Sequence, residues 1–284
     1  MKIKVTKMQG LGNDFVILDC SELEKSRMDM SDLARRLCDR NFGVGADGMI
    51  IPNIYPASEK ADIGWFFYNS DGTTAQMCGN GIRCFAKYVK NKCLVNKNKF
   101  AVETLAGIIT PEILEDGNVK VNMSKPILAP EKVPFKGEKA LNFKINVGDR
   151  EFLVNAISMG NPHCVIFVDK DEDTLEMAKT YGPLLENHEL FPEKTNVEFV
   201  KVISRNEIEM RVFERCCGIT LACGTGACAS TVAGILNNLT DSKVKVNLLG
   251  GPLIIEWQGS QQNLDTDVFM SGPAEYSFFA EAIL

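Results

Sequence analysis

Two cysteines of this 284-residue chain stand in the same local sequence. Cys78 heads the motif CGNG, Cys223 heads the motif CGTG, and a segment with helical spacing follows each. Glycines let a backbone approach a ligand closely, and the first amides of a helix lack intrahelical partners and carry partial positive charge. Such a turn therefore predicts a site for a carboxylate. The same field predicts a lowered pKa for both thiols.

Two matched thiols suit the inversion of an amino acid at Cα. A thiolate on one face of the carbon can remove its proton while a thiol on the other face delivers a new one. Amides at the substrate carboxylate would stabilise the negative charge that grows as the carbanion forms. This chemistry needs no pyridoxal phosphate, and the sequence has no persuasive phosphate-binding loop coupled to a Schiff-base lysine. We therefore expect no cofactor.

The composition is that of a soluble globular protein, with 45% hydrophobic and 24% charged residues. A formal net charge of −6 and the lack of a basic tract argue against a nucleic-acid partner. No apolar run reaches the ~18 residues of a membrane span, and Lys and Gly interrupt the start where a secretory signal would be apolar. The sequence thus predicts a protein that binds neither nucleic acid nor membrane.

Ten cysteines occur without a Cys-x-x-Cys pair, and His163 and His188 are the only histidines. This pattern argues against a zinc site and against a secreted disulfide scaffold, so we expect no metal and a reducing, cytoplasmic location. Most of the other cysteines are expected to be small buried hydrophobic residues: Cys20, Cys38, Cys84, Cys93, Cys164 and Cys228.

Many short strand-like runs and a few helical segments predict a mixed α/β (α+β) protein. The helices are expected over Asp32–Arg40, capped by Ser31, and near Ile82–Asn91 and Ala227–Asn238. The strands are expected over Ile3–Met8, Phe15–Leu18, Ile63–Tyr68, Phe100–Glu103, Val119–Met123, Val165–Val168, Val197–Ile203 and Glu209–Phe213.

The two halves of the sequence repeat four features in the same order. The CGxG motifs and the helical segments after them are offset by 145 positions. A Gly-Asn pair precedes an apolar run at Asn13 and again, 148 positions later, at Asn161, while Asn69 and Glu214 each stand nine positions before their cysteine. Similar offsets over four features indicate an internal duplication.

We therefore expect two pseudo-symmetric domains of similar topology with the active site in the cleft between them. The proline-rich, charged stretch over residues 124–140 is the best candidate for the crossing, because proline cannot serve a central strand. An N-terminal half over residues 1–125 and a C-terminal half over 126–270 follow from this crossing.

Eight segments then resemble the diaminopimelate epimerase family, in the family's order and over nearly the whole chain. They are QGLGNDFVILD (9–19), DRNFGVGADG (39–48), FYNSDGTTAQMCGNGIRCFA (67–86), ETLAGI (103–108), GNPHCVIF (160–167), NVEFV (196–200), VFER (212–215) and LACGTGACA (221–229).

The resemblance implies a cofactor-independent enzyme that interconverts LL- and meso-diaminopimelate, with Cys223 deprotonating the LL substrate and Cys78 reprotonating it. It implies supporting roles for His163 and Glu214, a homodimer, and a C-terminal stretch (271–284) that returns to the first domain. It also implies these substrate-binding residues: Asn13, Asn69, Gly79, Asn80, Asn161, Asn196, Glu214, Arg215, Gly224 and Thr225.

The residue types fit a small amino-acid substrate with a second zwitterionic end. Arg215 can grip a carboxylate with two parallel donors, Glu214 can neutralise an ammonium, and asparagines serve a zwitterion without adding charge. The chain departs from the family's pattern at three positions. Gly48 stands where many members have a glutamine, Cys216 replaces a glycine, and Ile219 replaces an acidic residue.

Two alternatives remain open. A proline or hydroxyproline racemase would use a similar pair of thiols, but its substrate has no distal zwitterion for Glu214 and Arg215 to bind. A thiol redox or metal-binding protein would use the many cysteines in another way, and the lack of Cys-x-x-Cys counts against it.

Overall fold

The computed structural model describes the whole chain, Met1–Leu284, as eighteen strands and five α-helices. The helices are α1 (Cys20–Ser26), α2 (Met30–Cys38), α3 (Gly79–Asn91), α4 (Thr174–Glu186) and α5 (Gly224–Leu236). The strands are β1 (Lys2–Gly10), β2 (Asn13–Ile17), β3 (Gly48–Asn53), β4 (Ile63–Asn69), β5 (Val102–Thr104), β6 (Gly107–Ile109), β7 (Glu112–Ile113), β8 (Val119–Asn122), β9 (Phe143–Val147), β10 (Arg150–Ser158), β11 (Pro162–Val168), β12 (Asn196–Ser204), β13 (Glu207–Glu214), β14 (Gly218–Ile219), β15 (Lys243–Leu248), β16 (Gly251–Trp257), β17 (Val268–Gly272) and β18 (Glu275–Ile283).

The first compact unit comprises Met1–Val121 and Gly272–Leu284. Its sheet has the order β18-β1-β2-β3-β4-β5-β6. From β1 to β6 the neighbouring pairs alternate antiparallel, parallel, antiparallel, parallel, antiparallel. Parallel neighbours need a crossover connection, and α2 lies in the one between β2 and β3 while α3 lies in the one between β4 and β5.

The second unit, Asn122–Ser271, repeats this topology. Its sheet contains the order β9-β10-β11-β12-β13-β15-β16-β17, and the pairs from β10 to β16 show the same alternation of antiparallel and parallel neighbours. Helix α4 lies between β11 and β12, and α5 lies between β13 and β15. The predicted fold, mixed α/β with two domains of similar topology, is confirmed. The proposed domain boundaries stay a prediction.

Each sheet has helices on both faces. Because neighbouring residues of a strand point to opposite sides, successive side chains contact different helices. In the first unit Val16 and Met49 join the cluster around α2, whereas Phe15 and Ile50 face the start of α3 at Gly81. The last three residues of β2 and all but the last residue of β3 are accordingly buried.

The same rule places the polar residues of the second sheet. Cys164 and Val197 belong to the core cluster that includes Met177 and Leu185 of α4. Their sequence neighbours His163 and Glu198 therefore point to the other face, where α5 begins.

Three predicted helices occur, but their starts differ from the prediction. Helices α3 and α5 begin at Gly79 and Gly224, three residues before the apolar spacing begins, because the cysteine sulfur caps the first turn. Helix α2 is capped by the side chain of Asp29, which accepts the N–H of Ser31, so the prediction of Ser31 as the cap was wrong.

No helix of the structure is both long enough and apolar enough to cross a membrane.

Candidate functional site

Cys78 is the N-cap residue of α3. Its backbone is extended (φ −140°, ψ 122°), and its Sγ accepts the N–H of Gly81 at 3.4 Å. Arg83, one turn further along α3, is completely buried and donates to the carbonyl of Gly79 at 3.2 Å and to that of Pro273 at 3.0 Å. The turn that carries the half-buried thiol is therefore held in place from within the helix.

Asn13 places its carbonyl oxygen at this sulfur. Its Oδ1 lies 3.5 Å from Cys78 Sγ and accepts from Asn80 Nδ2 at 3.3 Å. Its Nδ2 donates to Asp47 Oδ2 at 2.6 Å, and Asp47 is itself held by Arg40 at 2.8 Å. Because a carboxylate can only accept, Asp47 keeps the acceptor end of the Asn13 amide directed at the thiol. The contact therefore favours Cys78 with its proton on sulfur.

Cys223 is the N-cap residue of α5 and has the same backbone arrangement. Its φ is −114° and its ψ is 105°, and its Sγ accepts the N–H of Gly226 at 3.4 Å. The third residue of this turn has to be glycine for a steric reason. A Cβ on Gly226 would lie 2.7 Å from Glu198 Oε1 and 3.2 Å from the sulfur.

The prediction of a lowered thiol pKa was wrong for Cys223. Burial raises the pKa of this thiol well above its usual range, and the nearby carboxylates of Glu214 and Glu198 raise it further. Hydrogen bonds from the Thr225 hydroxyl and the Gly226 N–H act in the opposite direction but do not outweigh the burial. In the structure without substrate, Cys223 thus retains its proton at neutral pH.

Four side chains extend from Cys223 into the sheet as a row of hydrogen bonds. Thr225 Oγ1 lies 3.5 Å from Cys223 Sγ, and Asn161 Nδ2 donates to Thr225 Oγ1 at 3.3 Å. Asn161 Oδ1 lies 3.0 Å from His163 Nε2, and His163 Nδ1 lies 2.7 Å from Glu198 Oε1. His163 and Glu198 are completely buried. The structure thus brings three predicted site residues, Asn161, His163 and Thr225, to one thiol.

Glu214 and Arg215, predicted to bind the distal end of the substrate, lie at the end of β13, and Asn196 begins the neighbouring strand β12. The amide of the buried Asn196 joins two backbone segments, because its Nδ2 donates to the Pro162 carbonyl at 2.8 Å and its Oδ1 accepts the Arg215 N–H at 3.0 Å. The Thr220 hydroxyl donates to the Glu214 carboxylate. Substrate contacts of Asn196, Glu214 and Arg215 stay a prediction.

Asn69 ends β4 beside Gly48, its partner in the sheet register, and its Nδ2 donates to Thr73 Oγ1 at 3.0 Å. A Cβ on Gly48 would lie 2.7 Å from the Tyr68 carbonyl oxygen and 2.8 Å from the Phe67 ring. This chain therefore has no room for a side chain at position 48 without a shift of β4.

The family model described as diaminopimelate epimerase matches residues 5–129 and 155–277. The diaminopimelate epimerase of Heliobacterium modesticaldum is 48% identical over 288 aligned positions, which cover 98% of this chain and 99% of that protein. The chain belongs to the diaminopimelate epimerase family. As a member of the diaminopimelate epimerase family it is an isomerase.

Two solved structures support the fold. A phenazine biosynthesis protein of the PhzF family from Bacillus anthracis superposes with a TM-score of 0.69 at 16% identity, covering 100% of both chains. A hydroxyproline epimerase from Agrobacterium vitis, solved with bound trans-4-hydroxy-L-proline, has a TM-score of 0.68 at 10% identity, covering 99% of this chain and 93% of that one. At such low identities the two similarities show the fold alone and carry no statement about function.

His163, Glu198 and Cys223 are residue types that can also bind metals, and their ligand atoms lie within 4.8 Å of one another. His163 Nδ1 and Glu198 Oε1 form a hydrogen bond of 2.7 Å with each other, and Cys223 Sγ accepts the Gly226 N–H. We therefore assign the three residues to hydrogen bonding.

The sequence analysis missed Asp47 and Glu198, which orient Asn13 and His163. A signal for Glu198 exists in the sequence, because it is the acidic residue within the apolar run Val197–Val200. A charged side chain inside a buried strand needs a partner. The signal for Asp47 is weaker, since it lies in a glycine-rich loop where an acidic residue is common.

Six other cysteines were expected to be buried. Cys38, Cys84, Cys164 and Cys228 are, whereas Cys20 is half-buried and Cys93 is exposed. Cys93 follows the end of α3 with a positive φ of 56°, in a turn at the surface rather than in the core.

Proposed function

We propose that this protein interconverts LL- and meso-2,6-diaminopimelate by two-base proton transfer at Cα between Cys78 and Cys223, without pyridoxal phosphate or another cofactor. One observation carries the proposal. In two units of the same topology, a cysteine sulfur caps the equivalent helix and accepts the N–H three residues on. Two matched thiols are what a two-base inversion needs, and family membership supplies the substrate class.

The starts of α3 and α5 have distinct tasks in this reaction. Backbone amides of Gly79-Asn80 and Gly224-Thr225 would hold the carboxylate at the reacting carbon, where the partial positive charge of a helix start stabilises the developing carbanion. In the direction from LL to meso, Cys223 would remove the proton and Cys78 would supply one to the opposite face. The roles exchange in the reverse direction.

The raised pKa of Cys223 shapes how the base is generated. A buried thiolate with a raised pKa is a stronger base towards a carbon acid, but it forms only when something compensates its charge. The substrate brings an α-ammonium group into the same place, and this cation favours ionisation of the nearby sulfur. Ionisation of Cys223 would thus accompany substrate binding.

The distal end of diaminopimelate carries a carboxylate and an ammonium. Arg215 offers two parallel donors for the carboxylate, and Glu214 offers an acceptor for the ammonium. A proline or hydroxyproline substrate has no such end. Turnover of diaminopimelate and of proline, each followed by chiral chromatography, therefore distinguishes the two substrate classes.

The decisive experiment follows exchange at Cα in heavy water without added cofactor. The wild type is expected to place solvent deuterium at Cα of the product, while Cys78→Ala and Cys223→Ala lose epimerisation. Cys84→Ala and Cys228→Ala are matched controls, because these buried thiols lie within α3 and α5 away from the caps. Substantial turnover by either N-cap variant would refute the two-base scheme.

We further propose that the enzyme is a cytoplasmic homodimer that acts in lysine and peptidoglycan-precursor biosynthesis. Ten free thiols suit a reducing compartment. Loss of one carboxylate from meso-diaminopimelate gives lysine, which connects the product to that amino acid. Complementation of a diaminopimelate auxotroph tests the pathway, and sedimentation equilibrium tests the dimer.

A further inference from the structure

We propose that Glu198 is a positioning residue for Cys223, acting through His163, Asn161 and Thr225, so that the Thr225 hydroxyl donates a hydrogen bond to the sulfur. This inference rests on the proposed role of Cys223 as a base. It is carried by four consecutive hydrogen bonds of 2.7, 3.0, 3.3 and 3.5 Å that run from a completely buried carboxylate to the thiol.

The first step concerns the proton on His163 Nδ1. Glu198 is 0% exposed, and its second oxygen Oε2 is buried without a hydrogen-bond partner. The imidazole at 2.7 Å is the partner of the other carboxylate oxygen. A carboxylate oxygen accepts, so His163 Nδ1 is the donor of this hydrogen bond.

The second step concerns the Asn161 amide. The other ring nitrogen, Nε2, lies 3.0 Å from the amide oxygen of Asn161, and because an amide oxygen only accepts, Nε2 is the donor. The amide nitrogen then faces Thr225 Oγ1 at 3.3 Å and donates to it. The amide nitrogen does not compete for the Thr225 hydroxyl proton, which is therefore free to point at Cys223 Sγ at 3.5 Å.

The opposite arrangement makes the inference testable. If His163 carried a proton on Nδ1 alone, its Nε2 would accept from the Asn161 amide nitrogen. The amide oxygen would then take the Thr225 hydroxyl proton away from the sulfur. Thr225 would in that case accept from the S–H, and the hydrogen bond would stabilise the thiol instead of the thiolate.

Several groups act on this sulfur, and their effects have different signs. Glu214 on β13 and Glu198 on β12 disfavour the thiolate by their negative charge, and the N–H of Gly226 on α5 favours it. A ring nitrogen of His163 on β11 lies within 4.8 Å of the sulfur and is also connected to it by the hydrogen bonds of Asn161 and Thr225. Removing the Glu198 charge alone would therefore ease ionisation, whereas losing the directed Thr225 proton would hinder it.

The experiment uses Glu198→Gln, which keeps the size of the side chain and removes its charge, and Glu22→Gln as a matched control. Glu22 is another buried glutamate, which accepts from Lys25 and from the Lys4 backbone far from the motifs in sequence. Nitrogen-15 NMR of the ring nitrogens is simple to assign, because the chain has two histidines and His188 serves as an internal reference.

Because both ring nitrogens of His163 face acceptors, wild type is expected to show both as hydrogen-bond donors, and Glu198→Gln is expected to lose one of these donors. The His188 signals are expected to stay in place in both proteins. A His163 ring that lacks the Nε2 proton in the wild type, or that is identical in Glu198→Gln, would overturn the proposal.

Alkylation of Cys223 against pH, resolved by peptide mass spectrometry, provides the second measurement. In Glu198→Gln the midpoint is expected to rise and the rate at neutral pH to fall roughly 10-fold, the effect of one lost hydrogen bond to a charged group. Cys78 in the same samples, and Cys223 in Glu22→Gln, are expected to be unaffected. A lower alkylation midpoint would show that Glu198 acts by its charge alone. An unchanged midpoint would show a structural role. Either result would overturn the proposal.

Neither measurement needs turnover, so both are independent of whether diaminopimelate is the substrate.

Discussion

At the scale of single residues, one repeated motif produces two different thiols. Both cysteines accept the N–H of a glycine at 3.4 Å, but Cys78 faces the Asn13 carbonyl oxygen whereas Cys223 faces the Thr225 hydroxyl and lies near two carboxylates. The Asn13 oxygen can accept from the S–H of Cys78, whereas at Cys223 the proposed hydrogen bond from Thr225 acts against the burial and the carboxylates that raise the pKa. In the proposed two-base reaction the two thiols therefore differ in what surrounds their sulfurs.

Cys216 provides a test of backbone strain. It has a φ of +63°, in the left-handed region, and its N–H donates to the buried Glu186 carboxylate at 2.6 Å. A Cβ in this region costs about 1–2 kcal/mol, and the greater freedom of glycine in the unfolded chain takes back about 0.5–1 kcal/mol. Cys216→Gly is therefore expected to raise the free energy of unfolding by about 0.5–1 kcal/mol.

Chemical denaturation under reducing conditions measures this difference. Cys217→Gly is the control, because Cys217 is also exposed and is not among the residues with a positive φ. This variant is expected to be neutral or less stable. Equal effects of the two substitutions would show that φ at position 216 stores no strain.

At the scale of elements, the sequence predicted the apolar strands and the helices best. Apolar runs in β2, β4 and β12 are easy to detect because both faces of each sheet are covered there, and β13 is recognisable by its alternating buried and half-buried residues. Helix α4 was missed because Gly182 and Pro183 interrupt its pattern. Gly182 is needed there because a Cβ would lie 2.6 Å from the Phe213 side chain, a contact that no local pattern reveals.

The candidate site likewise contains residues that the sequence could identify and residues that it could not. The CGxG motifs and the Gly-Asn pairs are local, and their structural positions could be inferred from spacing and resemblance. Asp47 and Glu198 act through other side chains on neighbouring strands, so their effect depends on a strand register that the sequence does not display. The raised pKa of Cys223 has the same origin, because burial by the whole unit outweighs the helix start.

The starts of α3 and α5 differ in how much space they leave. A Cβ on Gly81 would meet its neighbours at 3.4–3.5 Å, an ordinary contact, whereas one on Gly226 would lie 2.7 Å from Glu198 Oε1. Gly226→Ala is expected to lose about 1–3 kcal/mol of stability by overpacking, because Glu198 is buried and fixed by His163. Gly81→Ala is expected to gain up to about 1 kcal/mol from helix propensity.

Thermal unfolding of the two variants makes the comparison, and each serves as the control for the other. A stable Gly226→Ala protein would mean that Glu198 can move aside, which would also weaken its assignment as a fixed partner of His163.

Asp14 links β1 and β2 to the loop before β3. Its carboxylate pairs with Lys7 at 2.8 Å and with Arg40 at 2.9 Å. Burial raises the pKa of Asp14, but the hydrogen bonds from Arg40 and Lys7 outweigh it, so the pKa of the folded state lies below its usual value. The stability that this group contributes is therefore complete above about pH 4, the unfolded value, and is lost as the pH falls through the folded value.

Asp14→Asn is expected to lower the free energy of unfolding at neutral pH and to reduce its decline below about pH 4. Denaturation at a series of pH values measures both effects. Asp171→Asn, an exposed residue, is the control and should retain the wild-type slope. An Asp14→Asn protein with an unchanged acid slope would remove the Lys7–Asp14–Arg40 cluster from the causes of acid unfolding.

At the scale of the whole molecule, the chain builds one topology twice and then returns to finish the first copy. Strand β18 pairs antiparallel with β1 from Lys2↔Ile283 to Gln9↔Glu275. The carbonyls of Pro273 and Ala274, just before it, accept from Arg83 and Lys87 of α3. The last residues thus complete the unit that carries Cys78, although they are the farthest from it in sequence.

This return of the chain predicts an unequal response to truncation. Deleting residues 275–284 leaves β1 as an unpaired edge, so β1 and β2 are expected to lose protection from hydrogen–deuterium exchange, while β10–β13 of the second unit keep theirs because their neighbours are unchanged. Ile283→Ser is the control, since this side chain is 79% exposed and its strand remains. Equal loss of protection in both units would show that they do not unfold separately, and full protection of β1 after the deletion would show that its stability comes from β2 and the helices alone.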